Sequence, residues 1–243
     1  MKKTLLKTVF IVMGVLLIGG TSSCTSKSEN ASTQNALSSQ QNEADIIDEN
    51  PLTNLIKGNE RFVSGKLVHI HQDSLRVKEL TEGQHPRVVV ICCSDSRVTP
   101  EIVFDQGLGD IFTIRTAGNV MSDYEEGSIE YAVEHTGAKL VVVLGHTSCG
   151  AIKAMLDTKE GETVPGHIAS IVDALKAETE EKEALEKGGE ALPYNAVKAN
   201  VEHGVKQLCN SKPILSEMHE EGKIKIVGAI YHIEDGKVEF LDI

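Results

Sequence analysis

The chain has 243 residues, of which 40% are hydrophobic and 25% are charged. This composition is ordinary for a globular protein and excludes collagen-like, mucin-like and wholly disordered proteins. Asp and Glu total 36 against 24 Lys and Arg, so the formal net charge is −12. A nucleic-acid-binding protein needs a basic face for the phosphate backbone, and this charge argues against that class.

The amino-terminal segment has the pattern of a secretory signal peptide. Lysines precede an apolar run from Val9 to Ile18 that is short for a bilayer span, and small residues lead from it to Cys24. We therefore expect residues 1–23 to be a signal peptide. A cysteine after small residues resembles the lipobox of bacterial lipoproteins, here with Thr21 where Leu is usual, and implies lipidation of Cys24. The alternative is an ordinary signal peptide with Cys24 near the cleavage site by chance.

A polar segment follows the signal. Residues 24–45 are rich in Ser, Thr, Asn and Gln, which predicts a flexible tether. The remaining residues, 46–243, are enough for one folded domain. We expect an exported protein at the cell envelope or in the periplasm, attached to the membrane through a lipid anchor only.

Three apolar runs predict buried parallel strands, and a fourth run is followed by a hairpin. The first three are Arg87–Cys92, Ile111–Arg115 and Lys139–Gly145. The fourth is Ile224–Ile233, and the turn residues after it lead to a short run at Val238–Leu241.

Helical patterns lie between these strands. One begins at Ser122 or Asp123, either of which suits a helix N-cap, and runs to His135, with Gly137 as its stop. Two more are predicted at His167–Lys187 and Tyr194–Cys209, and we expect the acidic stretch Glu178–Glu186 to be a solvated face. Strands alternating with helices predict an α/β domain with a mostly parallel four-stranded sheet, a C-terminal hairpin strand and helices on both faces.

Two of the predicted strands end in residues that bind metals. The first runs into Cys93, and the third runs into His146 and Cys149. Ligands bind at the carboxyl ends of strands in such sheets, so neighbouring strands would bring these side chains together. Two thiolates and one imidazole are a standard zinc set, and three protein ligands leave one position open. The alternative is a pair of buried thiols and a hydrogen-bonded histidine; we expect Cys92 and Cys209 to be core residues of that kind.

Asp95 and Arg97 stand two residues apart just past the first strand. This spacing allows a bidentate pair, which keeps the carboxylate ionised and oriented. Beside a zinc-bound water, such an acceptor would orient the attacking hydroxide. A surface salt bridge is the alternative.

The motifs around these residues resemble those of the beta-class carbonic anhydrases. The matches are CSDSRV at Cys93–Val98, IRTAGN at Ile114–Asn119, SIEYAV at Ser128–Val133 and GHTSCGAIK at Gly145–Lys153. The resemblance covers about residues 50–243. It implies reversible hydration of carbon dioxide to bicarbonate, with Zn²⁺ on Cys93, His146 and Cys149.

The resemblance also implies the roles of further residues. Asp95 and Arg97 would form the catalytic dyad, and a plant-like subfamily implies a substrate pocket; its residues here would be Gln84, Phe112, Tyr131 and Gly150. It implies a homodimer or homotetramer, with pocket residues contributed across the interface. Two rival functions are hydrolysis of carbonyl sulfide or carbon disulfide, and a non-catalytic, lipid-anchored zinc-binding or redox protein.

Overall fold

The computed structural model describes residues 47–159 and 161–243. The predicted signal peptide, Cys24 and the predicted tether lie outside the described residues. Within the described ranges, none of the helices combines the length and the apolar character that a bilayer span requires.

The described residues form one sheet of five strands. The strands are β1 (Val88–Cys93), β2 (Ile111–Thr116), β3 (Leu140–His146), β4 (Lys225–Tyr231) and β5 (Val238–Phe240). Their order across the sheet is β2-β1-β3-β4-β5. The first four strands are mutually parallel, and β5 pairs antiparallel with β4 as a hairpin. The predicted α/β class, the parallel strands and the hairpin strand are confirmed.

Helices fill the connections between the strands. They are α1 (Pro51–Val63), α2 (Ser74–Glu79), α3 (Pro100–Val103), α4 (Asp123–Tyr131), α5 (Gly150–Asp157), α6 (Ile168–Ala177), α7 (Thr179–Lys187), α8 (Leu192–Asn210) and α9 (Ile214–Glu220). Single turns of other helix types lie at Leu80–Glu82, Ala117–Asn119 and Ala132–Thr136. The predicted helix from Ser122 is confirmed: Ser122 and Glu125 form a capping box, and Gly137 ends it with a left-handed backbone.

The single helix predicted over His167–Lys187 is wrong. Helix α6 ends at Ala177 and α7 begins at Thr179, because Glu178 between them has an extended backbone. The expected solvated face is also wrong in part, since Glu178 and Glu181 are buried. Helices α1, α2, α3, α5 and α9 were not predicted from the sequence.

Alternate residues of β1 point to opposite faces of the sheet, and helices cover both. Val89, Ile91 and Cys93 face the core shared with α4, α5, α6 and α8. Val88, Val90 and Cys92 face a second core, which includes Leu55 of α1. The predicted division between Cys92 and Cys93 is therefore confirmed, as are helices on both faces.

Helix α8 packs closely on β3 and β4 because glycines leave room for it. A Cβ atom at Gly145 would lie 2.6 Å from Val201 Cγ2, and one at Gly228 would lie 2.7 Å from Val201 Cγ1. Only glycine allows the backbones to approach so closely. This packing brings the middle of α8 beside the turn that follows β2.

Candidate metal centre and active site

The structure brings the three predicted metal ligands together. Cys93 and His146 are the last residues of β1 and β3, and Cys149 is the N-cap residue of α5. Their ligand atoms all lie within 4.8 Å of one another, and all three residues are buried. Because β1 and β3 are adjacent and parallel, both strands deliver their last residues to the same edge of the sheet.

The hydrogen bonding of His146 fits a metal ligand. Its Nδ1 atom lies 2.9 Å from the Thr147 carbonyl oxygen, so Nδ1 carries the proton and donates it. Its Nε2 atom is buried and has no hydrogen-bond partner in the described part of the chain. A neutral imidazole whose Nδ1–H is held by a carbonyl presents the Nε2 lone pair that a metal ion needs.

The two sulfur atoms lie where backbone N–H groups stabilise negative charge. A hydrogen bond from the Cys149 thiol lowers the pKa of Cys93, and the same bond raises the pKa of Cys149. The Gly118 N–H also donates to Cys93 Sγ, at 3.3 Å. Cys93 raises the pKa of Cys149, whereas the backbone N–H groups of Ala151 and Ile152, at the start of α5, lower it and so favour the Cys149 thiolate. Two sulfurs and one imidazole nitrogen are the donor set of a zinc site.

Asp95 and Arg97 form the predicted bidentate pair. Arg97 Nε lies 2.9 Å from Asp95 Oδ1, and Arg97 Nη2 lies 2.7 Å from Asp95 Oδ2. This pairing holds the pKa of Asp95 well below its usual range. Arg97 Nη2 also donates to the Ser148 carbonyl oxygen at 3.3 Å, so it joins the loop after β1 to the loop after β3. Both carboxylate oxygens of Asp95 are therefore directed at Arg97.

Two residues without a predicted role, Arg115 and Thr147, hold these loops in place. Arg115 of β2 donates to the carbonyl oxygens of Cys93, at 3.2 Å, and Asp95, at 2.7 Å. Thr147 Oγ1 donates to Glu234 at 2.7 Å and accepts from the Ile233 N–H at 3.0 Å. Both residues lie inside motifs quoted for the family resemblance, which was the available signal.

Known proteins are similar to this chain in sequence and in fold. Residues 88–238, more than half of the chain, match the family model described as carbonic anhydrase. The structure of the beta-carbonic anhydrase CcaA matches with a TM-score of 0.63 at 31% identity, over 79% of this chain and 95% of that chain. The chain belongs to the beta-class carbonic anhydrases.

Two further matches of this carbonic anhydrase cover most of its length. A carbonic anhydrase of Mycolicibacterium smegmatis is 43% identical over 183 residues, which cover 75% of this chain and 87% of that protein. A structure from a pair of tetrameric beta-carbonic anhydrases of the ascomycete Sordaria macrospora matches with a TM-score of 0.60 at 25% identity, over 88% of this chain and 98% of that chain.

In a single chain of this carbonic anhydrase, Phe112 and Gln84 of the predicted pocket lie away from the predicted metal ligands. The rings of Phe112 and Tyr131 are neighbours, with centroids 6.3 Å apart. Phe112 is opposite Val89 in the sheet, four residues before the partner of Cys93, which corresponds to about 13 Å along the strand. Gln84 is exposed and precedes β1 altogether. Of the predicted pocket set, Gly150 alone adjoins the ligands, as the first residue of α5.

Proposed function

We propose that this protein catalyses the reversible hydration of carbon dioxide to bicarbonate and a proton, with Zn²⁺ held by Cys93, His146 and Cys149. The proposal rests on one observation: a buried Cys-His-Cys cluster lies beside Asp95, whose carboxylate accepts two hydrogen bonds from Arg97. Three protein ligands with a fourth position open to solvent are the hallmark of catalytic zinc.

The protein residues orient the attacking water and leave room for the substrate. When bound, zinc makes hydroxide available near neutral pH by lowering the pKa of water. Asp95 stays ionised because of Arg97, and its carboxylate oxygens retain lone pairs that accept a hydrogen bond from the attacking water. Gly150 has open space where a side chain would stand, which leaves room for a small substrate beside Cys149.

Replacing one sulfur tests the metal site. We expect Cys149→Ser to lose its zinc and its hydration activity, because a serine hydroxyl is not a thiolate donor. Zinc content by metal analysis and carbon dioxide hydration by stopped flow would measure both. Cys209→Ser is the matched control, since Cys209 is a free cysteine at the end of α8, away from the ligand cluster. A Cys149→Ser protein with full zinc occupancy would contradict the ligand assignment.

We also propose that the plant-like pocket of Gln84, Phe112 and Tyr131 is completed across a subunit interface, in a homodimer or homotetramer. Phe112 lies opposite Val89, about 13 Å along the sheet from the level of Cys93, and Gln84 precedes β1, which supports a second copy as their source. Tyr131 is 49% exposed in the single chain, and the apolar side chains of Val77 and Leu108 near Gln84 are exposed as well. Exposed apolar groups of this kind are typical of subunit interfaces.

We propose that the protein is exported and anchored through Cys24 at the cell envelope. The basic, apolar and small-residue order of residues 1–24 supports this location. Labelling of the full chain with a fatty acid, compared with Cys24→Ser, tests it.

A further inference from the structure

Asn200 is a buried polar residue in the middle of α8 that reaches the turn after β2. Its side chain is 3% exposed. Its Nδ2 atom donates to the Gly118 carbonyl oxygen at 2.9 Å and to Asn119 Oδ1 at 3.3 Å. A buried amide is costly unless such bonds are made, so this contact fixes the position of the turn relative to α8.

The turn that Asn200 holds has a left-handed backbone. Gly118 and Asn119 both have positive φ values, 69° and 46°. Glycine and asparagine are the residues that adopt this conformation most readily, so the sequence suits the turn that Asn200 anchors. A Cβ atom at Gly118 would lie 2.9 Å from the Ala151 Cβ atom, so the turn is also packed tightly on α5.

The same turn makes a direct contact with a metal ligand. The Gly118 N–H donates to Cys93 Sγ at 3.3 Å, and the Gly118 carbonyl accepts from Asn200. These two groups belong to consecutive peptide planes, and the dihedrals of Gly118 set the angle between them. Anchoring the carbonyl therefore aims the N–H at the sulfur.

We propose that Asn200 is a positioning residue for the metal centre: it keeps the Gly118 N–H on Cys93 Sγ and so sets how strongly this sulfur binds the ion. The proposal rests on the zinc site proposed above. Hydrogen bonds to the ligands of a metal orient them and tune their donor strength, and losing one typically costs 10–100-fold in metal affinity or activity. Asn200 touches neither metal nor substrate, so it acts through Gly118.

The test compares two buried asparagines in the full-length, zinc-loaded protein. Asn200→Leu removes the donor at similar volume. Asn59→Leu is the matched control, because Asn59 is 7% exposed and donates to the Val103 and Gly236 carbonyl oxygens, and its helix α1 packs on the opposite face of the sheet. Both variants lose buried hydrogen bonds, so both should lower the melting temperature.

Two readouts separate positioning from stability. We expect Asn200→Leu to release zinc to an excess of chelator about tenfold faster than wild type, and Asn59→Leu to stay within about twofold. With cobalt in place of zinc, we expect the thiolate-to-cobalt absorption band of Asn200→Leu to move to longer wavelength, because a sulfur without its hydrogen bond gives up electron density more easily. The Asn59→Leu band should not move.

Equal zinc release from the two variants, or an unshifted cobalt band in Asn200→Leu, would overturn the proposal. If Asn200→Leu does not fold, Asn200→Ala removes the same donor without pressing an apolar group on the Gly118 carbonyl. We then expect the same faster zinc release and the same shift of the cobalt band from Asn200→Ala, and their absence would overturn the proposal. Wild-type protein that binds no zinc would refute the proposed function itself, whereas zinc-loaded wild type with an unaffected Asn200 variant would refute this inference alone.

Discussion

The pairing of Asp95 with Arg97 sets the charge and the orientation of the Asp95 carboxylate. Arg97 contributes two side-chain hydrogen bonds and its own backbone N–H, at 2.9 Å, to the same carboxylate. This arrangement fixes both the charge and the direction of Asp95.

Asp95→Asn is expected to separate metal binding from turnover. The amide has nearly the shape of the carboxylate but lacks its charge and has one acceptor oxygen instead of two. It is therefore a weaker acceptor for the attacking water, and it cannot pair with Arg97 through both terminal atoms. We expect zinc content to stay at the wild-type level and the hydration rate to fall by about 100-fold or more. Stopped-flow hydration and metal analysis on the same samples check both.

Asp235→Asn is a suitable control for that variant. Asp235 is an acid of the exposed hairpin turn that pairs with Lys237, so its replacement should leave the hydration rate unchanged. An Asp95→Asn enzyme as fast as the control would remove Asp95 from the mechanism.

At the scale of elements, the junction of α6 and α7 buries two acids. Glu181 is 0% exposed, and neither of its carboxylate oxygens has a hydrogen-bond partner among the described residues. Burial raises the pKa of Glu181 to about 8. Burial, together with the neighbouring Glu181, raises the pKa of Glu178 to about 9. The third acid here, Glu180, pairs with His203 and Lys206 instead.

This junction should make stability depend on pH. An acid whose pKa is higher in the folded state binds its proton more tightly there, so its contribution to stability is complete below its unfolded pKa of 4.5 and is lost as pH rises through about 8. Glu181→Gln cannot ionise. We therefore expect Glu181→Gln to melt at a higher temperature than wild type at pH 9, with a much smaller difference at pH 5.

Thermal unfolding followed by circular dichroism at pH 5, 7 and 9 measures this effect. Glu183→Gln, an exposed position on the same helix, controls for the change in net charge. A difference between Glu181→Gln and wild type that is the same at all three pH values would show that Glu181 does not titrate in this range.

Some of these elements were predictable from the sequence and others were not. The strands were predictable because residues buried on both faces form continuous apolar runs. The ligand set followed, since parallel strands place their last residues at one edge. The break at Glu178 was not predictable, because an acidic stretch has the pattern of a solvated helix face. Asn200 was missed because its contact with Gly118 depends on how α8 packs on the sheet, which no local pattern encodes.

At the scale of the whole molecule, Gln84 and Phe112 of the proposed pocket lie near the start of β1, whereas the predicted metal ligand Cys93 is its last residue. If each active site is completed by a second copy, two inactive chains can complement each other. Cys149→Ser abolishes the metal site of its own chain, and Gln84→Leu removes a donor that would serve the partner's site, at a cost of about 100-fold.

Co-expression of these two variants is the test. A mixed dimer contains one site with intact metal ligands from the Gln84→Leu chain and an intact Gln84 from the Cys149→Ser chain. We expect the mixed dimer, isolated with two different affinity tags, to regain a large part of the hydration activity of one wild-type site. Recovery no greater than the sum of the separate variants would place Gln84 in the site of its own chain or outside any site.

The ligands of this centre come from strand ends that are 53 residues apart in the chain. Neither loop alone offers three donors, so tight capture of the ion has to wait until β1 and β3 lie side by side, and such a non-local contact forms late compared with a helix or a hairpin. Binding of the proposed zinc ion would then reinforce this one strand pairing. If the chain is exported, as proposed above, and crosses the membrane unfolded, it would consequently acquire the proposed zinc ion on the far side of the membrane, from the supply of that compartment.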